Sequence, residues 1–332
     1  MYLVFCSILI LSTILSGRRY KYAGVFISSV IIALFYSQRS LSVGNDTWAY
    51  NGRFDRIQAG LVVKKFEILY HLIFQYSYSF RHVLFYTSFI SLFSLQMSIV
   101  NMKLESKLSF LILICSFGFL NIMVDQSRQI LALSVFLMLN ALSRRSRLSV
   151  VNGIFAALIH KSMLLLAFFR FINIKRWLSG FILVVATILA YYLGKNFIIV
   201  KLAIETIESG FSDTVYVNDR FLLSIIEQSG NLILLRFIFA FFLALYALRN
   251  TLGKGITLWL GLIVQILSSG FMPLERIGDV ILFYGVYEFV NEGLTPSVNR
   301  VIITIFYLLI FSFYIYTQVY ALGKHGSLPW EF

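Results

Sequence analysis

The chain has 332 residues, 59% of them hydrophobic and only 13% charged, with a mean hydropathy of +0.83. Soluble domains carry roughly 25% charged residues, so this composition is that of an integral membrane protein. The net charge of +13 comes from short basic clusters set between apolar runs, the pattern of topology-setting loops rather than of a nucleic-acid surface.

Helices need about 20 apolar residues to span a bilayer. Residues 2–16 are apolar, with no basic stretch before them and no small-residue cleavage site after, so they read as a retained first helix. Residues 22–38 form the second. A polar island then runs from Arg39 to Arg56, with three arginines and two aspartates. Irregular backbone exposed to lipid would leave its N–H and C=O groups unpaired, so the island lies in water or against a protein-lined cavity.

Residues 66–80 are amphipathic, with Glu67, His71 and Gln75 at i, i+4 and i+8. Further helices are predicted at 82–100, 108–124 and 130–142, with a polar turn Asp125–Gln129 before the last. Residues 148–172 are long enough for one crossing, yet both flanks are basic. Two short helices resolve this, a hairpin whose tip is His160-Lys161-Ser162. Helices at 177–200, 231–248, 256–272, 277–290 and 301–321 complete a count of roughly twelve crossings. Pro273-Leu274-Glu275-Arg276 is expected as a turn between two of them. The fold class is all-α, one polytopic membrane domain over residues 1–332 with outward loops at 39–81 and 201–230.

Placing the basic clusters 17–21, 101–107 and 143–147 in the cytoplasm is self-consistent. The opposite ends of the helices then carry Arg39, Asp46, Arg53, Glu67, Arg128, Gln129, His160, Arg220, Arg236 and Arg276. Arginine offers phosphate a planar fork of donors and stays charged in any environment. Arg236 is set within an apolar helix, where it either faces a cavity or snorkels to the interface. His160 is suited to accept a hydroxyl proton, although a packing histidine is the commoner case. Asp46 and Glu67 are the other candidate bases, and Asp46 equally suits a turn cap after Gly44-Asn45. Asp125 and Arg128 stand i, i+3, as do Arg276 and Asp279, and such pairs satisfy one another. Trp48 and Tyr50 suit stacking on sugar faces, and a membrane-interface belt explains them as well.

Cys6 and Cys115 lie in separate apolar runs, giving neither a disulfide framework nor a thiolate metal site. The chain has no Asp-x-Asp, no metal-spaced His/Cys cluster, no P-loop and no dinucleotide fingerprint. Metal-dependent glycosyl transfer and an ATP-driven pump are therefore disfavoured, and no cofactor is expected.

Four motifs occur in order: Val43-Gly44-Asn45-Asp46-Thr47-Trp48-Ala49-Tyr50, Glu67 at the head of an amphipathic helix, Ser127-Arg128-Gln129-Ile130-Leu131-Ala132, and Ile159-His160-Lys161-Ser162. Together, over residues 30–170, they resemble the EpsG family within the wider group of Wzy-type O-antigen and exopolysaccharide polymerases. The sequence departs from that family's pattern at Ile68, where proline is frequent, and at Asp125, where asparagine is common.

The resemblance implies a GT-C-like bacterial inner-membrane polymerase acting at the periplasmic face. Its donor and acceptor would be oligosaccharide repeat units on undecaprenyl diphosphate, and its partners would include membrane lipid and a chain-length regulator but no nucleic acid. On that reading Arg39, Arg128 and Arg276, with Arg220 and Arg236, hold diphosphate. His160 is the leading base, with Asp46 and Glu67 as rivals, and Gln129, Thr47, Tyr50 and Ser162 support them.

Three other readings differ in what they require. A ligase moving finished polymer shares the chemistry. A membrane-bound O-acyltransferase also uses a histidine but has no need of clustered outward arginines. A lipid-linked sugar transporter favours internal repeats and charges deep in both halves, and no repeat is found.

Overall fold

A computed structural model describes residues 21–39, 45–61, 67–102, 127–143, 148–169, 176–195, 238, 256–267 and 272–291. The chain forms two compact units, Met1–Arg170 with Gly293–Phe332, and Phe171–Glu292. The first contains α1 (Lys21–Ser37), α2 (Asn45–Gln58), α3 (Ile68–Gln75), α4 (Phe80–Ile99), α5 (Ser127–Ser143), α6 (Leu148–Ala157) and α7 (Met163–Phe169). No strand occurs among the described residues, in line with the all-α expectation.

α4 is the centre of the first unit and packs against both α1 and α5. Its 20 residues span ~30 Å, the thickness of a hydrocarbon core. Among the described residues it is the one helix long and apolar enough to cross a membrane, with α1, α5 and α6 shorter apolar helices. Leu92, Leu95 and Ile99 are fully buried in the packing. Three of its hydroxyls are silenced locally: Thr87 donates to the Val83 carbonyl at 2.8 Å, Ser88 to Leu84 at 2.6 Å and Ser91 to Thr87 at 2.6 Å, whereas the buried Ser94 hydroxyl has no partner among the described residues. Such bonds to the preceding turn let a polar residue sit in an apolar layer. On α1, Phe26, Ile27, Leu34 and Phe35 turn outward and lie more than half exposed. An apolar face of this kind suits lipid.

Within the segment 39–81, expected as an outward loop, the structure places two helices. α2 begins at Asn45-Asp46-Thr47, residue types that favour helix starts. It buries Tyr50, Phe54 and Ile57 on one face and exposes Asp55 and Arg56 on the other. The i, i+4, i+7 spacing is that of an amphipathic helix. α2 ends at Gln58, and Gly60 just beyond it, with a φ of +74°, permits a closing turn. There the Gly60 N–H bonds the Ile57 carbonyl and the Leu61 N–H bonds the Arg56 carbonyl.

α3 is shorter than the predicted 66–80, and both its ends are tied down. Gln58 Nε2 donates to the Phe74 and Ser77 carbonyls at 3.1 and 3.2 Å. The Leu69 N–H, in the first turn, donates to the Leu158 carbonyl at 3.0 Å. These bonds satisfy groups a helix end cannot pair within itself.

The predicted hairpin at 148–172 is observed as α6 and α7, with His160-Lys161-Ser162 between them. Gly153 makes the pairing close: a Cβ there would stand 2.4 Å from the Ala167 Cβ. Of the polar turn expected at Asp125–Gln129, Ser127, Arg128 and Gln129 form the first turn of α5, and Asp125 and Gln126 lie outside the described residues.

In the second unit, α8 (Arg176–Lys195) packs on α9 (Ile256–Leu267), and α9 on α10 (Met272–Asn291). Gly261 sets the α9–α10 approach, with the Leu282 backbone 2.5 Å from where its Cβ would be. Pro273–Arg276, expected as a turn, forms the first turn of α10. Proline is tolerated at that end of a helix, where its missing N–H costs no bond. The crossings predicted at 2–16, 108–124 and 301–321, the loop 201–230, and all of the crossing predicted at 231–248 but residue 238 lie outside the described residues.

Candidate functional site

Three sequence-predicted residues of the first unit, Tyr50, Glu67 and Arg128, meet together with Tyr70 around the starts of α2, α3 and α5. Arg128, the second residue of α5, donates from Nη1 to Glu67 Oε2 at 3.1 Å and from Nε to the Tyr50 hydroxyl at 3.1 Å. Its guanidinium also lies 5.6 Å from the Tyr50 ring centroid and 5.8 Å from that of Tyr70. Both contacts are within the range of cation–π attraction. The pairing with Glu67 spans 61 positions of sequence. Asp125, the i, i+3 partner expected for Arg128, lies outside the described residues.

Glu67 sits at the N-cap of α3 with extended backbone, φ −68° and ψ 153°, and its side chain does not cap that helix. The carboxylate is turned to Arg128 instead, and both side chains are largely buried, at 12% and 19% exposure. Removing one member of such a pair would strand the other charge away from water.

Arg39 lies just beyond the end of α1 and is 4% exposed. It donates from Nη2 to Thr47 Oγ1 at 3.1 Å and from Nη1 to the Tyr36 hydroxyl, with its Cζ 4.3 Å from the Tyr36 ring centroid. Its Nε–H has no acceptor among the described residues. Nε and Nη2 share the long edge of a guanidinium, the edge that grips a phosphate or carboxylate with two prongs. One prong of that edge leans on Thr47 and the other is unmet. Gln129 Oε1, buried beside Arg128 in the chain, is likewise without a donor among the described residues.

Beneath the arginines lies an aromatic floor. Tyr50 and Phe54 of α2 meet Tyr70 and Phe74 of α3, with Phe80 opening α4, at centroid separations of 5.1 to 6.4 Å. Tyr70 is 1% exposed and its hydroxyl is 3.1 Å from Ser127 Oγ. Burial pushes the Tyr70 phenol well above its usual range, an effect reinforced by Tyr50 and opposed by the Ser127 bond and by Arg128 and Arg39. Tyr70 therefore remains a neutral phenol at any working pH, and both guanidiniums act on it.

His160 Nδ1 accepts the Ser162 N–H at 3.3 Å and lies 2.8 Å from Ser162 Oγ. Ser162 thus holds the ring through Nδ1, with the donor and acceptor roles there set by the tautomer. Leu158, whose carbonyl binds the first turn of α3, is two residues before His160, so the hairpin tip and the chain around Glu67 are joined through backbone.

The structure thus brings together Glu67, Arg128 and Tyr50, and separately Arg39 and Thr47. Trp48 is 79% exposed. The Asp46 side chain and residues Arg220 and Arg236 lie outside the described residues, and Arg276 belongs to α10 of the second unit. Sequence reasoning missed Tyr36, Tyr70 and Ser127. For Tyr70 the signal was available, since it stands one turn from Glu67 on a short amphipathic helix.

A sequence model of the EpsG family matches residues 22–332. The chain belongs to the EpsG family. The match covers every described helix of both units except the first residue of α1, and so extends the resemblance carried by residues 30–170. No curated protein and no solved structure matches the chain. EpsG membership is consistent with a membrane protein of the polysaccharide-polymerase kind, and the outward apolar face of α1 agrees with a membrane location.

Proposed function

We propose that this EpsG chain is a polymerase joining oligosaccharide repeat units carried on undecaprenyl diphosphate, by glycosyl transfer that needs no metal. The reaction takes place at the outer face of the bacterial cell membrane. A sugar hydroxyl of the acceptor attacks the donor's anomeric carbon, the bond to the diphosphate oxygen breaks, and its electron pair leaves with the lipid diphosphate. Arg128 and Arg39 hold that leaving group, where negative charge grows in the transition state. His160 takes the hydroxyl proton, with Asp46 and Glu67 as alternative bases. Arg276, Arg220 and Arg236 are assigned to diphosphate on sequence grounds alone, and a chain-length regulator is the partner expected.

The observation that carries this reading is Arg39: a buried guanidinium whose phosphate-binding edge has an unmet donor, with Thr47 fixing its orientation. A buried cation with open donors calls for an anion. The test is a deletion strain complemented with wild type, Arg39→Ala, Arg128→Ala or His160→Ala, with surface polysaccharide read on a gel. Wild type should restore the ladder, and the arginine variants should leave single repeat units. A normal ladder from the uncomplemented deletion sinks the reading.

A further inference from the structure

Arg128 faces a problem that follows from the function proposed for it. A buried arginine that grips a diphosphate leaving group grips the product at least as well, because the leaving group gains negative charge when its bond to the sugar breaks. An enzyme that adds many units must let that product go after every round. The strong holder therefore needs a competitor.

We propose that Glu67 is that competitor, an internal anion that holds the substrate's place on Arg128 and returns to it to expel the spent lipid diphosphate. The inference rests on the polymerase reading and deepens it by assigning a residue to product release. Three observations carry it. The Glu67 carboxylate lies on Arg128 Nη1 at 3.1 Å, as a phosphate oxygen would. The guanidinium is held independently of Glu67, through Nε to the Tyr50 hydroxyl and by the faces of Tyr50 and Tyr70. Tyr70 in turn is fixed by Ser127. The carboxylate is thus the half of the pair that can leave while the site keeps its form.

Glu67 also has somewhere to go. It occupies the N-cap of α3 without capping it, and negative charge is favoured at that end of a helix. Displaced from Arg128, the carboxylate falls back toward the start of its own helix. The exchange runs between two places that both welcome its charge, so neither state strands it.

A residue that merely positions Arg128 and a residue that competes for it predict opposite outcomes for one substitution. Glu67→Gln keeps the shape and removes the charge. The full chain, purified in detergent, is titrated with geranylgeranyl diphosphate, and lipid-linked repeat units are used to separate the first transfer from continued turnover. Competition predicts that Glu67→Gln binds the diphosphate about tenfold more tightly, since a like charge beside the ligand has been removed. Whatever the rate of the first transfer, later rounds should stall with product bound. Glu67→Asp, which draws the carboxylate back by one methylene, should tighten binding in the same direction by a smaller factor. If Glu67→Gln yields no folded protein, the aspartate variant decides. Weaker binding in whichever variant folds overturns the proposal and leaves Glu67 as a positioning residue. No binding to the wild type at all removes the polymerase reading instead, so the two failures are distinguishable.

Discussion

Between α1 and α4, Gln96 uses both ends of its amide, accepting from Ser28 Oγ at 2.8 Å and donating from Nε2 to Ser29 Oγ at 3.2 Å. Ser28 and Ser29 both also reach the Val25 carbonyl. Around Arg39 and Arg128 the burial is similar but the bonding is not: Arg39 Nε and Gln129 Oε1 are left without partners among the described residues. Both regions are buried polar clusters in the same unit. One is neutral and closed upon itself, as a contact between membrane helices should be. The other is charged and open. An unmet donor on a buried cation is costly, and it persists where the missing partner is a ligand. Buried polar atoms without a partner among the described residues occur outside the arginine cluster too, as at Ser94 Oγ and Ser134 Oγ, so what sets that cluster apart is its charge.

Substitutions should reproduce that contrast. The largest effect is expected at Arg39. Arg39→Met keeps much of the volume and removes the fork, and should lower polymer formation by about 10²–10³-fold, the typical loss for one preorganised donor. Arg39→Lys should recover little, because an ammonium cannot offer two prongs from one edge. Rates of repeat-unit joining by membranes containing each variant supply the measurement. A lysine variant close to wild type would mean that charge alone, without the fork, is what Arg39 provides.

The next effect concerns packing around the open cluster rather than its charge. Gly153→Ala forces a methyl to within 2.4 Å of the Ala167 Cβ, and the α6–α7 pair must spread. Overpacking of this sort costs about 1–3 kcal/mol, read as a lowered melting temperature in detergent. Because the same hairpin ends in His160 and bonds α3 through Leu158, activity should fall along with stability.

Smaller again is Tyr50→Phe. It deletes the hydroxyl that receives Arg128 Nε but keeps the ring beneath the guanidinium. A loss of roughly tenfold in joining rate is expected from one bond to a charged group, with folding unaffected.

These positions also mark where the sequence was readable and where it was not. α1, α4 and the 148–169 hairpin were legible because their apolar runs have the length of a helix or cannot satisfy the basic flanks with one crossing. α2 was not, because its buried residues Tyr50, Phe54 and Ile57 are spread among arginines, aspartates and amides, and low hydropathy reads as loop. The early starts of α5 and α10 were hidden for a related reason: polar side chains and a proline are common in first turns, where they resemble turn residues. Arg39, Arg128, Glu67 and His160 could be picked out by charge in an apolar chain. Their partners could not. The Arg128–Glu67 pair crosses 61 positions, while sequence spacing displays only neighbours such as Asp125. Tyr50 and Tyr70 were masked by the general abundance of aromatics, 33 Phe and 19 Tyr.

The smallest effect is expected in the closed cluster, at Gln96→Leu. Gln96 is 1% exposed and both its polar ends are bonded, so by burial alone it would rank with Arg39. What it leaves behind differs. Ser28 and Ser29 each keep the Val25 carbonyl, at 3.1 and 2.7 Å, so no donor is stranded when the amide goes. Leucine then supplies apolar contact in the volume the amide held. Hydrogen bonds between membrane helices average about 0.6 kcal/mol, and the change in stability should stay below about 1 kcal/mol, with wild-type polymer length on a gel. A large loss of activity in a stable Gln96→Leu protein would move that cluster into the site and erase the distinction between closed and open polar regions on which the assignment of Arg39 depends.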